Sequence, residues 1–154
     1  MLLRRIQPGE SRDFDAWIRT RHYRRCVPPG AVLRLEFVED GKRLGAMMWG
    51  RPEARLLESD ADHVLELTRM VFETSKEFLS RSLSNARHYI RKWFPQIRLL
   101  LTYADPEQGH DGAVYKADGW ASFGKTTNKP GGWKNREGRH DACGHPKIRF
   151  LRTP

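Results

Sequence analysis

The sequence predicts an α/β domain built on one mixed sheet, with helices on both faces and a basic C-terminal extension. Three observations carry that expectation. Residues 31–49 read as a hairpin, with Asp40-Gly41 at its turn. Residues 64–103 read as strand, helix, strand. A chain of 154 residues with 38% hydrophobic content suffices for one core. A hairpin pairs strands antiparallel and a helical crossover pairs them parallel, so a sheet holding both is mixed.

The opening Met-Leu-Leu-Arg-Arg-Ile meets Gln7-Pro8-Gly9 at once and is too short an apolar stretch for a secretory signal. Ser11 is the expected N-cap of a helix running to Arg25, with Phe14, Trp17 and Ile18 on one face. Pro28-Pro29-Gly30 ends it. Ala31 to Glu39 alternates as a strand does, Asp40-Gly41 suits a two-residue turn, and Leu44 to Trp49 returns. Gly50-Arg51-Pro52 breaks the pattern, and Glu58 to Asp62 is polar and loop-like.

Val64 to Phe72 is the next strand. Thr74-Ser-Lys-Glu77 has capping-box spacing, in which hydroxyl and carboxylate each take a free backbone N–H. The helix behind it has Leu79, Leu83, Ala86, Ile90 and Trp93 as its apolar stripe, and Pro95 stops it. Ile97 to Tyr103 is a continuous apolar run, the mark of a strand buried on both faces. A loop from Ala104 to Asp111, a short helix from Gly112 to Asp118 with Gly119 behind it, and a strand from Trp120 to Phe123 complete a core placed at residues 1–124. Residues 125–154 form the basic segment, in which Lys147 to Arg152 is suited to return as a last strand of the same domain.

Composition narrows the function classes. No run of roughly 18 apolar residues exists, so no membrane partner is expected. Cys26 and Cys143 stand far apart without a disulfide framework, and the cytoplasm is the expected setting. The net charge of +9 is uneven: residues 1–30 hold seven Lys/Arg against three Asp/Glu, residues 31–120 thirteen against fourteen, and residues 121–154 eight against two. Basic ends around a neutral middle suit a polyanion, and double-stranded DNA is the expected partner. In the tail, Lys129, Lys134, Arg136 and Arg139 interleave with Trp133, offering cations for phosphates and an aromatic for a base. A tail that docks Trp133 on the core is the alternative.

The chemistry concentrates in residues 101–120. Tyr103 ends the buried strand and Asp105-Pro106 turns the chain outward at its carboxyl end, where ligands of open α/β sheets collect. Asp105 follows apolar sequence, the setting of a carboxylate general base, and it equally suits capping of the next turn. Tyr115 precedes Gly119-Trp120 on the short helix and is either core or a proton donor. Arg69 is either an outward strand arginine paired with Glu66 or Glu73, or a cation in the cleft. Metal ligation is weakly signalled: His140, Cys143 and His145 lie close but lack a second pair at zinc spacing. His22 and His110 could hold iron only if the fold brings them together.

The element order and the Ala113–Trp120 block resemble the GNAT acyltransferase fold, in which a helix tyrosine protonates the leaving group and the acyl donor lies between two splayed strands. A narrower resemblance, over residues 22–124, is to the Mom family of bacteriophage DNA-modifying proteins. It rests on His22-Tyr23, Gly50-Arg51-Pro52, Glu66-Leu67-Thr68-Arg69, and Tyr-Ala-Asp-Pro-x-x-Gly-His over 103–110 with Tyr115 beyond. That resemblance implies conversion of adenine to N6-carbamoylmethyladenine, which protects DNA from restriction. It makes Asp105, Tyr115 and Arg69 catalytic and gives substrate-binding roles to Tyr23, His22, Tyr103 and His110, with Ser75 and Lys76 at the donor end.

One departure bears on the donor. GNAT enzymes bind the coenzyme A pyrophosphate on a Gly-rich turn at a helix N-terminus. Residues 73–80 contain no glycine and two carboxylates, Glu73 and Glu77. A charged tRNA such as glycyl-tRNA, whose glycyl group has the atoms of the carbamoylmethyl product, is therefore expected alongside acetyl-CoA as donor. Rival readings are an acyl-CoA-dependent N-acetyltransferase of a small amine or protein, and a DNA-binding module without catalysis. Monomer and homodimer both remain open.

Overall fold

The computed structural model describes residues 1–52, 62–126 and 146–154. Part of the polar stretch Glu58–Asp62 lies outside them, as do His140, Cys143 and His145 and the proposed DNA-binding residues Lys129, Trp133, Lys134, Arg136 and Arg139.

Seven strands form one mixed sheet, with β1 at Leu2–Arg5, β2 at Ala31–Glu39, β3 at Lys42–Gly50, β4 at Val64–Phe72, β5 at Leu99–Ala104, β6 at Ala121–Lys125 and β7 at Ile148–Arg152. The spatial order is β1-β2-β3-β4-β5-β7-β6. Among the described residues, only β4 and β5 run parallel. Helix α1, Ser11–Arg21, packs Phe14 and Ile18 against Ala46 and Met48 on one face. Helix α2, Lys76–Trp93, packs Leu83, Ala86 and Ile90 into the larger cluster with Leu35, Trp49, Leu65 and Phe150. A one-turn helix, α3 at Ala113–Ala117, follows β5.

Local chemistry explains several boundaries. The β2–β3 turn has φ of 50° at Asp40 and 75° at Gly41, the doubly left-handed turn whose twist matches a hairpin. β1 has no alternating pattern to announce it. It forms because residues 2–5 find the open edge of β2. The helix expected to reach Arg25 stops at Arg21, where His22 turns extended (ψ 139°) and its Nδ1 accepts the Arg24 amide at 3.1 Å. Glu10, not Ser11, holds the N-cap position of α1, because Glu10 is fixed by the Gln7 amide (2.9 Å) and by Arg4 (2.7 Å).

The capping box expected at Thr74 and Glu77 does not form. Ser75 is the N-cap, without a side-chain hydrogen bond, one residue too late for Glu77 to close the box. Trp93, expected on the buried stripe, is 59% exposed, since the stripe rotates past the core by the last turn. Pairing of β5 begins at Leu99 rather than Ile97, whose amide is taken by the Phe94 carbonyl at 2.9 Å. Trp120 precedes its strand and donates its indole N–H to Asp118 at 2.9 Å, beside the buried bidentate pair of Asp118 with Arg87 (2.7 and 2.9 Å). That network ties α2 to the end of α3 through groups that would be costly to bury singly.

Candidate active site

The site begins with one extra residue in β4. Met48 faces Arg69 and Trp49 faces Leu67, so Thr68 has no partner of its own and forms a bulge. Its hydroxyl donates to the Met48 carbonyl at 3.1 Å, which satisfies the backbone where the ladder is interrupted. Pairing of β4 with β5 ends at Leu67–Thr102, beside the bulge. Beyond it, β4 pairs with β3 and β5 with β7, and the two parallel strands part.

The bulge also turns Arg69 to the α1 face, opposite Met48 of the α1-side cluster. There it is buried, with Nε donating to the Cys26 carbonyl (2.9 Å), Nη1 to the Thr68 carbonyl (2.6 Å), and Nη2 lying 3.3 Å from Cys26 Sγ. Glu73, one of its two expected partners, pairs instead with Arg21 at 2.7 Å. Arg69 is thus a buried cation anchored on the segment after α1, next to the residue where β4–β5 pairing has ended.

That segment delivers His22 and Tyr23. Their rings stack at 4.5 Å, and the Tyr23 ring meets that of His110 at 5.7 Å. Burial, reinforced by Arg69, Arg24 and His110, pushes the His22 imidazole down to about 3. It is therefore neutral at ordinary pH, and with Nδ1 accepting from Arg24 its proton belongs on Nε2.

Asp105 sits buried at the end of β5, where its carboxylate accepts the Glu107 amide at 3.2 Å. Its carbonyl accepts the amides of Gln108 and His110, both at 3.1 Å. The cap suggested by the sequence forms, and Asp105 shapes the turn that carries His110 back toward Tyr23.

Tyr115 of α3 is buried against Trp120 and Phe150, with its hydroxyl 3.4 Å from that of Thr102. Burial raises the phenol, which Tyr23 reinforces and the Thr102 contact opposes, so it keeps its proton. The ring packs in the core, while the hydroxyl, accepting from that of Thr102, lies where the strands part.

Tyr103 lies opposite Arg149, whose guanidinium is 6.0 Å from its ring. Ser75 is exposed at the start of α2, and the side chain of Lys76 lies outside the described residues. Sequence reasoning missed Thr102 and Cys26. The threonine inside the otherwise apolar and aromatic run Leu99-Leu-Leu-Thr-Tyr103 was the available signal for Thr102. Cys26 acts partly through its backbone carbonyl, which no residue type announces. Among the described residues, no group of three or more His, Cys, Asp and Glu side chains could hold a metal ion. The His22 and His110 rings both meet that of Tyr23.

A mixed sheet whose one parallel pair parts beside a bulge, with a helix beginning where β4 ends, defines the GNAT type of fold. Two solved structures are similar over nearly their whole length. An acetyltransferase of the GNAT family from Streptococcus pneumoniae has a TM-score of 0.65 at 12% identity, covering 99% of this chain and 98% of that one. The aminoglycoside 6'-N-acetyltransferase from Enterococcus faecium has a TM-score of 0.66 at 12% identity, covering 99% and 97%. The chain belongs to the Mom protein family, whose model matches residues 4–147. It is 29% identical over 115 residues to the methylcarbamoylase mom of Escherichia phage Mu, a match covering 70% of this chain and 48% of that relative. The match thus spans about half the relative's length.

Proposed function

We propose that the chain is a transferase that modifies adenine N6 of DNA to N6-carbamoylmethyladenine, protecting phage DNA from restriction in the host cytoplasm. The observation that carries the reading is the convergence of His22, Tyr23, Arg69, His110 and Tyr115, from four separate stretches of a Mom-family chain, with Asp105 shaping the turn that bears His110. In this reading the adenine enters beside Tyr23 and His110, an aromatic wall suited to a base drawn out of the duplex. Asp105 takes the proton released from N6, Tyr115 protonates the departing group, and Arg69 holds developing negative charge. The basic segment 125–154 contributes DNA contacts through Lys129, Trp133, Lys134, Arg136 and Arg139.

The donor we favour is glycyl-tRNA over acetyl-CoA. The turn into α2 is Glu73-Thr74-Ser75, without glycine, and the Glu73 amide is already given to the Leu44 carbonyl at 2.8 Å. That amide is therefore lost to a pyrophosphate. Arg21 compensates Glu73, so the obstacle there is steric and geometric more than electrostatic. Glu77 adds an exposed carboxylate in the first turn of α2. The acyl product of glycyl transfer, N6-glycyladenine, is an isomer of N6-carbamoylmethyladenine, so the final product needs a rearrangement after acylation.

The test is nucleoside mass spectrometry of DNA from bacteria expressing the chain, with fragmentation against standards of both isomers. A carbamoylmethyl adduct should form, fall by roughly 100- to 10,000-fold in Tyr115→Phe, and vanish in Asp105→Ala. Unmodified DNA together with tight acetyl-CoA binding by calorimetry would move the N-acetyltransferase reading ahead.

A further inference from the structure

The solvent face of α2 plays no part in the site described above, yet its composition is one-sided. Between Phe78 and Ala104 the chain has five Lys/Arg and no Asp or Glu. Of these, Arg87 is buried against Asp118, and Arg91 is held by the Pro154 carbonyl. Arg81, Asn85, His88 and Lys92 lie exposed at spacings of four, three and four, which puts them on one line along the helix. Among the described residues, neither Arg81 nor Lys92 is held in an ion pair. Favourable interaction with the helix dipole accounts for cations in the last turn, and not for Arg81 near the first.

The line ends on an aromatic. Trp93 is 59% exposed, with the Tyr89 ring at 6.3 Å and Lys92 Nζ at 5.0 Å from its own ring. An open indole at the end of a line that carries Arg81 and Lys92 suits a polyanion that has unpaired bases to stack. Intact duplex DNA presents phosphates but no free base face, whereas a folded RNA with loops and single-stranded ends presents both.

We propose that the outer face of α2, from Arg81 to Trp93, is a docking surface for RNA, and specifically for the body of the tRNA that brings the donor group. The identity of the RNA rests on the aminoacyl donor proposed above; the surface itself rests on charge and exposure. α2 starts where β4 ends at the opening and runs away from it for about 26 Å at the helical rise per residue. A tRNA lying along it would leave its acyl-bearing end free to reach between β4 and β5 while its bulk was held well outside the site. DNA would then be left to the opposite, α1 side and to the basic segment.

The measurement is fluorescence anisotropy of the full chain with deacylated tRNA and, separately, with a short DNA duplex, across a series of salt concentrations. The double variant Arg81→Gln/Lys92→Gln is compared with Arg12→Gln/Arg19→Gln, which removes the same charge from the exposed face of α1. The α2 double should weaken tRNA binding at least tenfold and flatten its salt dependence, by about 1.4 in the slope for two lost single-strand phosphate contacts. It should weaken duplex binding no more than the α1 double does. Trp93→Ala should weaken tRNA binding with its salt slope unchanged. Equal loss of tRNA in the two doubles would reduce the effect to net charge and overturn the proposal. Equal loss of tRNA and duplex in the α2 double would make the face a DNA surface and overturn it too, as would no loss at all. All substituted residues are exposed, so the thermal midpoint serves as the control for folding. Deacylated tRNA binds without reaction, which separates the two readings. An adenine adduct with tRNA binding indifferent to α2 sinks only this surface, and selective loss of tRNA without any adduct sinks only the proposed reaction.

Discussion

At the scale of single residues, the site works by deciding which groups carry charge. Burial and three basic neighbours keep His22 neutral down to about pH 3, while the unfolded chain takes its proton near 6.5. The folded state thus binds fewer protons across that window, and stability present above pH 6.5 is lost as the pH falls toward 3. His22→Gln should flatten the fall of thermal midpoint between those values, relative to the unsubstituted chain, and scans at several pH values would show it. An identical slope in the variant would mean that His22 is charged in the folded state. Tyr115 is the complementary case. Its phenol is raised by burial, and a group that holds its proton until a leaving anion arrives is suited to general acid catalysis. Tyr115→Phe keeps the ring packed on Trp120 and Phe150, so the expected loss of adduct should come without loss of stability.

Elements position these residues by small irregularities. The bulge at Thr68 rotates Arg69 onto the α1 face and coincides with the end of β4–β5 pairing, so one inserted residue produces both the cation and the opening. Gly112 has a similar role at the start of α3. Its φ is +80°, and an added Cβ would lie 2.1 Å from the Phe150 ring. Gly112→Ala should therefore cost about 2 kcal/mol or more, read as a lower urea midpoint, because left-handed strain and overpacking act together. It should also lower adduct formation beyond the loss of folded protein, since the displaced helix carries Tyr115. The hairpin, β4 and α2 were legible in the sequence because their signals are local: turn residues, alternation and a 3–4 stripe. The end of α1 was not, because His22 and Arg24 close it through a side-chain contact that propensities do not encode.

For the whole molecule, the decisive feature is that the last strand is central. β7 lies between β5 and β6, so the tail that returns after residue 145 completes the sheet. Phe150 of β7 is fully buried and touches Tyr115. Phe150→Ala should cost about 3–5 kcal/mol by denaturant titration. If the C-terminal strand were a detachable arm, the same change would leave the midpoint unmoved. Thr126, at the end of β6, and Lys147, at the start of β7, join through two hydrogen bonds of 2.8 and 2.9 Å.

The sequence by itself determined the class of sheet, the hairpin, the helix stripe, the uneven charge and the Tyr103–Tyr115 block, because each depends on neighbours within a few residues. It also determined that Asp105 ends a buried strand. Only the tertiary structure decided which of these residues meet. Arg69 could have pointed either way until the bulge fixed its face, and Tyr103 went to Arg149 while Thr102, one residue earlier, went to Tyr115. Strand residues alternate between faces, so a shift of one position moves a side chain from one face of the sheet to the other. That shift is set by pairing with β3 and β7, strands distant in sequence, and no local pattern carries it.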